Sequence, residues 1–207
     1  MKKNLIYLFV GLMTTMGYSQ DKDAAQPSDS TKVNHVDPMT AMIEKFKPVA
    51  VYPKFNAGVF SGVVPVEDVT EAPDPDLDYK LMFELTKTKT DTISGLNADL
   101  VEIARVINLH IASGIPENKI FPVVVVHGPA LNAFSTNAFY NEKFKKDNPN
   151  LELIDELADM GTKFIACGQA MFFFDVDKEA LLPIFKVSLT AQTILSSYQM
   201  KGYVKYW

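Results

Sequence analysis

The chain has one cysteine among 207 residues, Cys167, and three histidines, His35, His110 and His127. A single thiol excludes any disulfide within the chain, so no covalent staple contributes to its stability. No two of these residues stand at the close spacing that a zinc site draws on, and neither a metal nor a cofactor is expected. Missing too are a glycine-rich phosphate loop and a nucleophilic Gly-x-Ser-x-Gly turn, which removes the sequence signatures of nucleotide-phosphate binding and of the serine hydrolases. With 20 basic and 25 acidic residues neither sign has a large excess, and the formal net charge of -5 gives no basis for nucleic-acid binding. The one long apolar run, Leu5 to Met13, falls short of the roughly 20 residues that span a bilayer.

That run has a different meaning. It follows Lys2 and Lys3 and precedes "TTMGYSQ", with Gly17 and Ser19 placed three and one positions before a cut ahead of Gln20. Basic start, short apolar stretch and small residues form an export signal over residues 1–19. The mature chain is therefore expected in the periplasm or secreted, soluble, with no stable membrane insertion once the signal is removed. Residues 20–37, "QDKDAAQPSDSTKVNHVD", are too polar to bury a core and read as a tether that carries His35. From 38 to 76 the text is mixed. "MTAMIEKF" has helical spacing, and "AVYPKFNAGVFSGVVPVEDV" breaks at Pro53, Gly58, Gly62 and Pro65 into short extended pieces, together an arm packed on the main domain.

Residues 77–207 have a regular rhythm. "YKLMFEL" predicts a first strand; "NADLVEIARVINLHIASG" predicts a helix with Leu100, Ile103, Ile107 and Ile111 on one face, capped by Asn97 and ended by Gly114. "FPVVVV" predicts a second strand buried on both sides, as parallel sheets require. "ALNAFSTNAFYNEKF" and "NLELIDELADMG" predict two helical segments, "KFIAC" a third strand, "GQAMFFF" a helical turn or two, and "DKEALLP" a short helix. "FKVSL", "TAQTILSSYQMKG" and "YVKYW" then give strand, helix and strand. Alternation without hairpin signals predicts an α/β class fold, a three-layer α/β/α sandwich on a five-stranded mainly parallel sheet.

Ligands in such folds bind at the carboxyl ends of the strands. Three strand ends carry polar groups here: His127-Gly128, Cys167-Gly168-Gln169, and Ser188 to Thr190. Cys167 stands just before a helical turn, where the amides of Gly168, Gln169 and Ala170, and a neighbouring His127, would favour a thiolate. Against this, cysteine is among the most buried residue types and behaves as a small hydrophobe, and a histidine before Gly-Pro also serves simply to shape a turn. His110, on the first helix, reads as a core-edge residue. Cys167 and His127 are thus the candidate catalytic pair, and Gly128, Gly168, Gln169 and Thr190 the candidate ligand-binding residues.

"VVVVHGPAL", "NPNLELIDELADMGTKFIACGQAM" and "SYQMKGYVKY" together resemble the DsrE/DsrF-like family, in its exported bacterial type, over Tyr79 to Trp207. The resemblance implies a five-stranded parallel α/β domain that assembles as trimers or hexamers. It also implies sulfur relay, in which a cysteine at the place of Cys167 takes a persulfide from a donor protein and passes it to an acceptor. The export signal, the arm before Leu77 and the Gly-Gln after Cys167 depart from the relay subunits. Two functions therefore stand: a persulfide carrier, and a non-catalytic oligomeric module that holds a small ligand in a strand-end cleft.

Overall fold

The computed structural model describes residues 37–207; the expected signal and all but the last residue of the expected tether, His35 included, lie outside the described residues. That last residue, Asp37, accepts a hydrogen bond from the amide of Thr40 and caps α1 (Pro38–Phe46). None of the residues of α1 is buried. The chain then runs through a bridge between Val51 and Val63 and one 3-10 turn, Val59–Ser61, toward the sheet.

The domain proper follows the predicted alternation: β1 (Tyr79–Leu85), α2 (Ala98–Ala112), β2 (Ile120–Val126), α3 (Asn137–Phe144), α4 (Leu151–Asp159), β3 (Lys163–Cys167), α5 (Gly168–Phe173), β4 (Lys186–Ser188), α6 (Ala191–Met200) and β5 (Val204–Lys205). All five strands are parallel, in the order β4-β3-β2-β1-β5. Steps from β1 to β4 all run one way across the sheet, and β4 to β5 runs back. Right-handed crossovers then place α6 on the face opposite α2. Neighbouring residues of β1 agree: the Tyr79 ring meets His110 of α2, whereas the Lys80 ammonium donates to the carbonyl of Lys201 just beyond α6. With both faces covered, Val123, Val124, Val125 and Val126 are all fully buried. Each such side chain contributes about 1.5–3 kcal/mol relative to exposure.

Asn97 accepts from the amides of Asp99 and Leu100, so it caps α2 as its sequence position predicts. Elsewhere on α2 a polar residue faces inward. Asn108 is completely buried, accepts from the amides of Lys54 and Phe55, and donates to the carbonyls of Phe55 and Ser61. It replaces strand partners for a stretch of arm that has none of its own.

Two predicted helices are shorter in the structure. "ALNAFSTNAFYNEKF" is a 3-10 segment, Gly128–Phe134, then an extended Ser135-Thr136, then α3. The break arises because Ser135 bridges Leu181 and its hydroxyl donates to Asn132 O, while the amide of Thr136 donates to Ala180 O. The same bridge holds Leu181 extended, and "DKEALLP" keeps only one 3-10 turn, Lys178–Ala180. Beneath it Phe134, Phe164 and Phe185 pack ring against ring at centroid separations of 5.3–5.8 Å. Among the described residues no helix is long and apolar enough to cross a membrane.

Candidate functional site

β2, β3 and β4 are neighbours, so the three polar strand ends anticipated in the sequence meet along one edge. Register carries the point further. Val126 pairs with Ala166 and Cys167 with Ser188, and His127 continues β2 in extended conformation, donating its amide to Leu85 O. His127 therefore stands beside Cys167, one strand spacing of about 4.8 Å away, on the same sheet face. Counting by twos, Lys80 and Glu84 share a face, and Lys80 reaches α6. Glu84 is in register with Val125, and Val125 with Ile165, which places Glu84, His127 and Cys167 together on the α6 side.

The side chains complete a polar row. His127 Nε2 lies 2.8 Å from Glu84 Oε1, and Lys205 of β5 bonds the other carboxylate oxygen. Burial works to raise the Glu84 pKa, but hydrogen bonds from Lys205 and His127, with their charges, outweigh it and hold the carboxyl below its usual range. An ionised carboxylate accepts only, so Nε2 carries the proton of this bond, and Nδ1 is the ring nitrogen left to face other groups. Glu84 and Lys205 were not among the residues expected here. One signal pointed to Glu84: it is the only acid in β1, following the apolar Leu81-Met82-Phe83 and one residue from the strand's end.

The thiol is 4% exposed and belongs to the hydrophobic core. Its surroundings differ from expectation in one respect. The amide of Gln169 does not face the sulfur; it donates to Leu189 O at 3.2 Å. Gly168 makes this possible, since a Cβ there would stand 2.9 Å from Ser188 O, and only glycine lets α5 begin so close to the end of β4. Gly128 turns the chain out of β2 at φ +62°, with Thr86 O 3.3 Å from where a Cβ would be. The Gln169 side chain is exposed, and the Thr190 hydroxyl bonds Gln192 Oε1 at the start of α6. His110 is bonded through Nδ1 to Val106 O of its own helix and sits apart from this edge.

Five clefts of about 110 to 500 Å³ are among those that open on the described surface, and none of these five is lined by His127, Cys167, Gln169 or Thr190. The rim is apolar instead. Phe172 is 78% exposed, Phe173 73% and Leu189 75%, all on the two segments that flank Cys167. Among the described residues no three of His, Cys, Asp and Glu gather as a metal cage.

No curated protein matches the chain. Among solved structures, a protein of unknown function from Methanobacterium thermoautotrophicum aligns with a TM-score of 0.47 and 20% identity, over 62% of this chain and 99% of that one. The model of the DsrE/DsrF-like family matches residues 80–205, from the second residue of β1 to the last of β5, and the chain belongs to that family.

Proposed function

We propose that the protein is an exported sulfur carrier of the relay type, with Cys167 as the atom that holds the sulfur. Family membership supports sulfur relay as the class of function. The observation that supports Cys167 as the carrier is the register that stands His127 beside it, with its ring oriented by Glu84. In this reading His127 Nδ1 takes the thiol proton. The thiolate attacks the outer sulfur of a donor persulfide, a new S–S bond forms as the donor S–S bond breaks, and the donor leaves as a thiolate that receives the proton back. No electrons are gained or lost overall. An acceptor thiol repeats the exchange and removes the sulfur. Burial of Cys167 suits a group that must keep a sulfane sulfur away from other nucleophiles until a partner docks.

Two parts of the reading rest on other observations. Export rests on the pattern of residues 1–19. Assembly with further copies, as trimers or hexamers, rests on Phe172, Phe173 and Leu189, an exposed apolar group that association would cover. A second function, a non-catalytic binding module, is favoured by the low exposure of the thiol.

The two are separated by treating the purified native protein with a small persulfide donor and measuring intact mass, alongside alkylation of the thiol across pH. One added sulfur on Cys167, and a thiol that alkylates readily in the folded protein, are the expected results. A thiol that neither loads nor alkylates in the folded protein leaves the binding module.

A further inference from the structure

A second polar feature of the carboxyl edge lies between the loop after β1 and the segment after β2. It is a cleft of about 330 Å³ whose lining includes Thr88, Thr90, Asn132, Tyr140, Lys143 and Lys146, and no Asp or Glu. In a chain of net charge -5, a cleft with two lysines and no acid has a local sign opposite to that of the whole molecule.

Lys143 is held in place without being neutralised. Its ammonium donates to Asn132 Oδ1 at 2.9 Å and lies 5.8 and 5.9 Å from the ring centroids of Phe139 and Phe144. Asn132 is itself 8% exposed and fixed by donation from Nδ2 to Pro129 O at 2.8 Å. Among the described residues no carboxylate forms a salt bridge with Lys143 or Lys146. A neutral amide as partner leaves the full positive charge and two N–H donors of Lys143 for something else. Thr88, Thr90 and Tyr140 add hydroxyls to the lining. The N-terminus of α2 is close by, but its first amides are taken: Ala98 donates to Lys89 O, and Asp99 and Leu100 to Asn97. Side chains, not the helix end, supply the donors.

We propose that this cleft binds a small oxyanion, either a carboxylate or a tetrahedral group such as phosphate, with Lys143 as its principal partner and the threonine and tyrosine hydroxyls completing the shell. The site is independent of Cys167, which lies two strands from β1 on the other face of the sheet.

The test is calorimetric titration of the full chain with inorganic phosphate and, separately, with acetate, at constant ionic strength set with chloride. Saturable binding of at least one is expected, weakened about tenfold or more in Lys143→Gln and largely kept in Lys143→Arg, as expected of a charge-assisted contact. Thr90→Val should weaken it by a smaller factor, and Lys201→Gln, at the far end of α6, should not change it. Which probe binds tells a tetrahedral ligand from a carboxylate. Absence of saturable heat with both, or binding that Lys143→Gln and Thr90→Val leave untouched, overturns the proposal.

Discussion

The two ends of the carboxyl edge differ in kind. At β3 and β4 the proposed sulfur-carrying atom, the Cys167 sulfur, is inside the core with exposed phenylalanines outside it, and none of the five clefts described above is lined by Cys167. At β1 and β2 a cleft stands open, lined by donors but with no nucleophile. One end has the proposed nucleophile under an apolar rim, the other an open cleft without a nucleophile. The contrast teaches that the parallel sheet assigns a location for function but not its type. Loop length decides that: Gly168 begins α5 directly after β3, whereas the chain between β1 and α2 is long enough to form a wall.

The comparison is broken most completely at Cys167. Cys167→Ser should abolish sulfur loading and lower stability by roughly 1–3 kcal/mol, because a hydroxyl must be accommodated in an apolar site. Intact mass after donor treatment and urea denaturation measure the two effects. Unchanged stability would show that the thiol end is more open than its burial implies. A smaller effect is expected at the rim. Phe172→Asp with Phe173→Asp should leave the fold intact, since both rings are exposed, and shift light-scattering mass toward a single chain. An unchanged mass would remove the rim as the proposed subunit contact.

The smallest effect concerns Glu84. Its carboxyl is held below the usual range when folded, so it stabilises the fold at pH above the unfolded value and ceases to do so as pH falls through the folded one. Glu84→Gln should therefore cost about 1 kcal/mol near neutrality, and the difference from wild type should vanish in acid. The same variant should slow alkylation of Cys167 by releasing the His127 ring. A stability difference independent of pH would remove the carboxylate from that role.

How much of this was legible depends on how local the cause is. Val123 to Val126, Asn97 before its helix and Gly202 after α6 act through their neighbours in sequence, and the strands and helices they mark are where the text placed them. The breaks at Ser135 and Leu181 come from a bridge between residues 46 apart, and no window of sequence contains both partners. Strand order has the same character. Once β5 lies beside β1, Lys205 meets Glu84 across 121 positions and His127 gains an orienting partner; with the order unknown, each was only a charged residue near a strand end. The expectation that the Gln169 amide would face the sulfur failed for a related reason, since the competing acceptor, Leu189 O, directly follows a strand whose placement was not readable.

Asn108 has a consequence for motion. The amides of Lys54 and Phe55 end on its single side-chain oxygen, and that oxygen is carried by the third turn of α2. A solvent proton can reach those two nitrogens only when the arm lifts from α2 or α2 itself melts. Lifting alone strands a buried amide side chain with four broken bonds, so the arm and α2 are expected to open as one cooperative unit, and the arm to share the hydrogen-exchange clock of the helix beneath it.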